Sequence, residues 1–309
     1  MVSVTVCVPT YNAGAYLDEA LRSAVKQTYR DTEVLVVDNC STDDTQAMVT
    51  DLAIRDSRIR YVRNSANLGM VRNFNRCLEL AEGEYIKFLC ADDLLAPECV
   101  ERMVAAIQTR PEVALVASAR HLVGPEGETI GEVRYVSEPE LRNGRRALSY
   151  CFHRRNIVGE PTAALFRKSD AQRGFAPEYL QAFDVEMWLH LLECGDLVLL
   201  PEALCSIRLH PEQATKANLR SGQVVEDKRR LFREFANQSH DAGSLLDRAM
   251  WDLRMASSVA RSGPQTAKRL KDSGISEVYF PHLFRHGLLP AAALVQKLAA
   301  RMLPGRTNP

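Results

Sequence analysis

Two hydrophobic periods alternate through the first hundred residues, and that alternation limits the possible fold more than any other feature of the chain. Val4–Val8 is apolar and β-rich; Tyr16, Leu17, Ala20, Leu21, Ala24 and Val25 then recur at three- and four-residue spacing, the mark of one helix face. Glu33–Val37 (EVLVV) reads as a second buried strand. Ser41 or Thr42 is placed to cap the helix that follows, with Asp43 and Asp44 in its first turn. A strand over Ile59–Val62, a helix over Asn67–Ala81 and a strand over Tyr85–Leu89 continue the pattern, and Pro97 opens another helix. Continuous apolar strands separated by helices predict a mainly parallel sheet covered on both faces. Ligands of such sheets gather at the carboxyl ends of the strands. Here those ends are Pro9-Thr10-Tyr11, Asp38-Asn39, Arg63-Asn64 and Ala91-Asp92-Asp93, all polar or turn-forming.

From about residue 110 the rhythm changes. Val113–Ala117 and Val133–Val136 read as strands around a Gly/Pro turn (GPEGE), and Thr162–Phe166 as another. Asp184–Cys194 reads as a helix, followed by strands over Leu197–Leu200 and Leu204–Leu209. The pattern is mainly helical from about 222. This divides the chain into a region 1–215, itself a nucleotide-binding half (1–110) and an acceptor-binding half (111–215), and a helical extension 216–309. A chain of 309 residues, 46% of them apolar, builds a core of this size without disulfide staples. The eight cysteines form no CxxC pair and several sit in apolar strands, which points to reduced thiols in a cytosolic compartment. The first segment, MVSVTVCVPTYN, is too short and too uncharged for a secretory signal, and no apolar run reaches the ~18 residues of a spanning helix. The expected location is cytoplasmic.

The net charge of zero hides an asymmetry. Residues 1–213 hold 23 Lys+Arg against 31 Asp+Glu (23 − 31 = −8), and residues 214–309 hold 16 against 8 (16 − 8 = +8). A basic tail behind an acidic half points weakly to an anionic surface such as a membrane. The run Leu283–Leu289 with ALVQKLAARML after it is semi-amphipathic; it reads either as a peripheral membrane contact or as a packed terminal helix. Nucleic-acid binding is disfavoured, because the candidate site lies in the acidic half.

Several acids end strands or open helices. Asp92 and Asp93 follow the self-burying strand YIKFL; adjacent carboxylates repel unless a cation lies beside them, and Mg²⁺ or Mn²⁺ favours carboxylate oxygens together with substrate phosphates. The alternative is that Asp93 caps the next helix or that both acids face water. Asp38 can accept from a base or ribose, or serve only as a turn residue. Asp184, before VEMWLHLL, reads as an N-cap or as a general base, with Glu186 two residues on to tune it or to bind acceptor. His210 reads as a metal ligand, a phosphate donor or a solvent-facing turn residue; Arg208 and Lys216 flank it and could complete an anion site. No GxxxxGK[ST], no GxGxxG after a strand and no GxSxG is present, which disfavours P-loop NTPases, dinucleotide enzymes and α/β-hydrolases.

The runs VSVTVCVPTYNAGAYLDEALRSAVKQTY, EVLVVDNCSTDDT, NLGMVRNFNRCLELAEGEYIKFLCADDLL, GEPTAALFRKS and FDVEMWLHLL resemble, in order and over about residues 1–215, the family 2 inverting glycosyltransferases. The resemblance implies a GT-A fold: a Rossmann-like nucleotide-binding half, a mostly parallel central sheet flanked by helices, and here a helical C-terminal extension. It implies that Pro9, Thr10 and Tyr11 hold the nucleobase, that Asp38 contacts base or ribose, and that Asn67, Gly69 and Arg72 line the donor. Asp92 matches the last acid of the DxD motif and so contacts donor and metal; Asp93 and His210 are the other candidate metal ligands. Asp184 matches the catalytic base, and Glu160, Glu186 and Trp188 fall on the acceptor side. Three positions depart from the family pattern: Cys90 replaces the first DxD acid, Phe183 replaces the glutamate before Asp184, and Asn39 replaces the second acid after the second strand.

The implied reaction is in-line displacement at an anomeric carbon, from a nucleotide-diphosphate sugar to a glycan or lipid-linked acceptor, with Mn²⁺ or Mg²⁺ as cofactor. Two rival readings are a nucleotidyltransferase, whose first loop is usually Gly-rich and basic, unlike PTYNAG here, and an inactive nucleotide-sugar-binding module.

Overall fold

A computed structural model describes residues 3–211, 213, 223–235 and 251. The opening alternation is realised as β1 (Val4–Thr10), α1 (Gly14–Val25), β2 (Thr32–Asp38), α2 (Thr45–Arg55), β3 (Ile59–Arg63), α3 (Met70–Leu80) and β4 (Tyr85–Phe88). There follow β5 (Leu94–Leu95), α4 (Cys99–Gln108), β6 (Val113–Val123), β7 (Thr129–Val133), β8 (Glu140–Arg142) and α5 (Gly144–His153). The remaining described elements are β9 (Ala164–Arg167), α6 (Phe183–Cys194), β10 (Asp196–Arg208) and α7 (Gln223–Phe235).

One sheet orders its strands β3-β2-β1-β4-β9-β6-β10-β5, with β7 on β6 and β8 on β10. The first four strands run parallel to one another, as the apolar runs predict. Beyond them the sheet is mixed. β9 lies antiparallel between β4 and β6, while β6 and β10 are parallel. The two short strands expected over Leu197–Leu209 are one strand, and the polar break between them is a pair of register shifts flanking Ala203. Helix α5 and the two short strands β5 and β8 lie outside the elements that the sequence predicts.

The strands bury both faces. In β1, Val4, Val6 and Val8 join Leu17, Leu21, Val49, Met103 and Ile107 in one core cluster, while Cys7 faces the other way, toward Cys77 of α3. Helix α3 buries Val71, Phe74, Cys77 and Leu78, a stripe at helical spacing. Phe74 meets Phe88, Phe175 and Phe183 at ring-centroid distances of 4.8, 5.6 and 4.9 Å. Burying each such ring or aliphatic chain stabilises by about 1.5–3 kcal/mol, and this apolar packing holds the strand ends in place.

Close contacts group the chain into two units. The main one carries the sheet and comprises residues up to Leu148, Asn156–Tyr179 and Phe183–His210. The second contains Ser149–Arg155, Leu180–Ala182 and the described residues from Pro211 on. Within the second, Phe152 stacks on Trp251 at 4.4 Å, and buried Asp227 accepts the backbone N–H groups of Gln181 and Ala182 at 2.6 and 2.8 Å. Among the described residues no helix is long and apolar enough to cross a membrane. Lys216 and the run from Leu283 lie outside the described residues.

Candidate active site

The carboxyl ends of β1, β2, β3 and β4 share one edge of the sheet, since Thr10 pairs with Asp38 and Asp38 with Arg63, while Phe88 pairs with Cys7. Two constellations form there.

The first is a knot of asparagines joining the loops after β2 and β3 to helix α3. Asn39 Nδ2 donates to Asn67 Oδ1 at 2.8 Å, and Asn39 Oδ1 accepts from Leu68 N at 2.8 Å and Asn64 Nδ2 at 3.2 Å. Asn64 Nδ2 also donates to Asn73 Oδ1 at 2.8 Å, and Asn67 Oδ1 accepts the Gly69 N–H at 2.9 Å. Gly69 has φ +82°, where a side chain would be strained although the space around it is open, so glycine is there for the backbone. Asn39, which stands where the family pattern has an acid, thus performs a structural task that needs both a donor and an acceptor, which a carboxylate could not perform. Neither Ser41 nor Thr42 caps α2, whose first residue is Thr45. Both are drawn to Asn12 instead: Asn12 N donates to Ser41 Oγ at 2.9 Å, and Thr42 N donates to Asn12 Oδ1 at 2.8 Å.

Asp38 departs from its expected role. It is fully buried; Oδ1 accepts from Ser41 N at 2.8 Å, and Oδ2 accepts from Tyr61 Oη at 2.7 Å with Arg63 Nε 3.4 Å away. A carboxylate closed off in this way braces its loop rather than meeting a base or ribose. The Tyr61 hydroxyl is pushed above its ordinary value, first by burial and then by Asp38, which keeps it protonated and donating. On the open side of the same edge stand Tyr11, about half exposed, and Arg72, exposed in the first turn of α3 and without an ion pair among the described residues. Pro9 is partly buried; Thr10 is buried, and its hydroxyl has no hydrogen-bond partner among the described residues.

The second constellation surrounds the acid pair. Asp92 Oδ2 lies 3.1 Å from His210 Nε2, joining residues 118 apart in sequence. The His210 ring lies 5.1 Å from that of Tyr16. Asp93 is different: it is buried, its Oδ2 accepts from Thr162 Oγ1 at 2.5 Å and its Oδ1 from Arg208 N at 3.0 Å. Burial first, then the adjacent Asp92, pushes its carboxyl well above the usual range. The metal-ligand reading of the pair therefore narrows to Asp92. Arg208 is equally engaged, donating through Nε to the Asp92 carbonyl at 3.0 Å, through Nη1 to Pro125 O at 2.9 Å and through Nη2 to Glu19 at 2.7 Å. It is a buried brace beneath the acid loop, not an anion site.

Would Asp92 and His210 fit a divalent cation? Ligands at about 2.1 Å from an octahedral centre stand about 3.0 Å apart along a shared edge, and the observed 3.1 Å between Oδ2 and Nε2 matches that edge. In the donor set the carboxylate suits Mn²⁺ or Mg²⁺, which keeps its other positions for phosphate and water, and the imidazole suits the softer Mn²⁺ better than Mg²⁺. Among the described residues no group of three or more His, Cys, Asp or Glu side chains is arranged to hold a metal ion.

Asp184 is the second residue of α6 rather than its cap, and its Oδ1 accepts from Val185 N at 2.7 Å. Its charge reaches the acid loop: the Cys90 thiol is pushed well above its ordinary value by burial, then by Asp93, Asp92 and Asp184. Glu160, half exposed, lies 2.5 Å from the buried Arg120 Nε and adds its charge to those around Asp93. The other acceptor-side expectations are corrected. Glu186 is buried and paired with Arg173 at 2.8 Å. Trp188 is buried, donates its indole N–H to Gly159 O at 3.0 Å and meets the Phe166 ring at 6.0 Å. Both fall on the inward face of α6. Thr162, Tyr16 and Glu19 were missed by sequence reasoning, although Thr162 stands inside the GEPTA run. A cleft of about 1020 Å³ opens at the opposite edge, beside Ser3, Glu84 and Lys168, and none of the candidate residues lines it.

A glycosyltransferase is the class to which the family model and the fold point. The chain belongs to the glycosyl transferase family 2, whose model matches residues 5–175. It is 30% identical to an uncharacterized Mycobacterium tuberculosis protein, MT1568, over 87% of this chain and 88% of that one. It is 28% identical to the putative teichuronic acid biosynthesis glycosyltransferase TuaG of Bacillus subtilis, over 62% and 73%. The structure of S. aureus TarS residues 1–349 with UDP-GlcNAc superposes with TM-score 0.58 at 17% identity, covering 92% of each chain; of a longer TarS chain, this one spans half. The Pyrobaculum calidifontis mannosyltransferase PcManGT, solved with GDP-Man and Mn²⁺, superposes with TM-score 0.57 at 19% identity, covering 98% of this chain and 87% of that one. The protein is a glycosyltransferase of GT-A fold.

Proposed function

We propose that this enzyme transfers a sugar from a nucleoside diphosphate donor to an acceptor hydroxyl with inversion at the anomeric carbon. Asp184 acts as the general base, and Asp92 with His210 holds the divalent cation, Mn²⁺ or Mg²⁺. The observation that carries this reading is the 3.1 Å approach of Asp92 and His210 at the carboxyl edge of the parallel strands.

The chemistry follows from those positions. Asp184 accepts the acceptor's proton as the acceptor oxygen bonds to the anomeric carbon and the bond from that carbon to the diphosphate oxygen breaks. Attack from the face opposite the leaving group inverts the centre, so an α-linked donor yields a β product. When bound, the cation neutralises charge on the departing diphosphate. Tyr11 and Arg72 offer the open surfaces for base and phosphate, with Pro9, Thr10, Asn67 and Gly69 shaping the loops beneath. Glu160, half exposed, is the acceptor contact in this reading. The resemblance to TuaG supports an acceptor in cell-surface polysaccharide synthesis.

Asp184→Asn tests the base. Nucleotide binding should persist while turnover falls by about 10²–10⁴, and NMR of the product should show the inverted anomer. Near-normal turnover, or a retained anomer, would sink the assignment. In Asp92→Ala, metal-dependent binding of nucleoside diphosphate should weaken as well.

A further inference from the structure

Thr162 is completely buried and comes from the short turn Pro161–Ala163, just after Glu160 and before β9. Its hydroxyl does two things at once. It donates to Asp93 Oδ2 at 2.5 Å, and it accepts from Cys90 N at 3.0 Å. A hydroxyl has one proton and two lone pairs, so both bonds coexist. The loop from Cys90 to Asp93 therefore closes around one oxygen atom from a segment about seventy residues away. Arg208 completes the frame through its N–H to Asp93 and its Nε to the Asp92 carbonyl. Of the two acids in this loop only Asp92 keeps an accessible carboxylate, 29% exposed, and it points at His210. Thr162 is itself located from below. Fully buried Lys87 of β4 donates to the Thr162 carbonyl and, at 3.3 Å, to that of Ala164.

We propose that Thr162 is a positioning residue for the cation: its hydroxyl holds the Cys90–Asp93 loop in the geometry that brings Asp92 to His210. This rests on the cation reading above. It also gives the Cys90 position a rationale. The acid of the family pattern is absent there, and the backbone N–H of Cys90 provides an anchor that does not depend on a side-chain acid.

The test is Mn²⁺ binding by the full-length protein, followed by the free-ion EPR signal, with Mn²⁺ alone and with Mn²⁺ plus UDP. Thr162→Val keeps the shape and removes the hydroxyl; Thr162→Ser restores the hydroxyl. Loss of a partner that orients a metal ligand weakens metal affinity by about 10–100-fold. That loss is expected in Thr162→Val with an unchanged circular-dichroism spectrum, and Thr162→Ser should stay within about threefold of the parent. If the valine protein does not fold, Thr162→Ala, which adds no bulk, makes the same comparison. Asp92→Ala runs alongside. Parent-like affinity in folded Thr162→Val, with affinity lost in Asp92→Ala, overturns the positioning role alone. Parent-like affinity in Asp92→Ala, or no Mn²⁺ binding by the parent, overturns the cation reading and this proposal with it.

Discussion

Removing the Asp38 carboxylate should unfold the donor edge before it affects chemistry. In Asp38→Ala, the Ser41 N–H and the Tyr61 hydroxyl lose their acceptor, at 2.8 and 2.7 Å in the parent. Hydrogen bonds to a charged group contribute about 1.5–3 kcal/mol each, so the pair contributes about 3–6 kcal/mol. Arg63 adds little: its side chain is 39% exposed and its Nε lies 3.4 Å from Asp38, so solvent screens the attraction to below about 1 kcal/mol. Asp38→Asn should cost less, because the amide oxygen still accepts from Ser41 and the Tyr61 hydroxyl can turn to accept from the amide nitrogen. Equilibrium urea denaturation of parent, Asp38→Ala, Asp38→Asn and Tyr61→Phe gives the free energies, and the Asp38/Tyr61 double-mutant cycle gives their coupling. Isothermal titration with UDP in the presence of Mn²⁺ reads the donor site separately. A loss below about 1 kcal/mol in Asp38→Ala would refute the brace. So would an Asp38→Asn protein of parent stability that no longer binds UDP, since the carboxylate would then be reaching the ligand.

Other expectations follow from the same structure. The half-buried His190 has its pKa lowered from 6.5, first by burial and then by Arg173. The folded state then binds fewer protons than the unfolded one, so stability is present above about 6.5 and is lost as pH falls below it; in His190→Gln this acid loss between pH 7 and 5 should shrink, read by thermal melts across that range. Gly83→Ala places a Cβ 2.4 Å from the Thr5 backbone nitrogen, so a loss of about 1–3 kcal/mol is expected in urea; an unchanged midpoint would contradict the close approach. Trp188→Phe removes the indole donor to the Gly159 carbonyl, which still accepts from Asn156 Nδ2 at 3.2 Å, so a loss of about 0.5–1.5 kcal/mol should follow; a raised acceptor KM at parent stability would return Trp188 to the acceptor site.

Much of the architecture is legible in the sequence, because strand and helix periods are local. Val4–Val8, Glu33–Val37 and the α3 stripe each declare their element within a dozen residues, and chain order then placed Thr10, Asp38, Arg63 and the acid pair at one edge. The mixed half of the sheet was not legible. Nothing local in Ala164–Arg167 says that it inserts antiparallel between β4 and β6.

Sequence alone determined which polar residues stand at the strand ends: Asp92 after a self-burying strand, and Asp184 at the head of an apolar helix. Tertiary structure decided what each of them touches. Asp93 differs from Asp92 only through Thr162, 69 residues away, and Arg208, 115 residues away. Asp38 is sealed by Tyr61 from the neighbouring strand, and Glu186 and Trp188 turn inward with α6. Apolar periodicity is written in neighbouring residues. A carboxylate's partners, and so whether it binds a cation, braces a loop or takes a proton, come from chain segments that meet only once the sheet has formed.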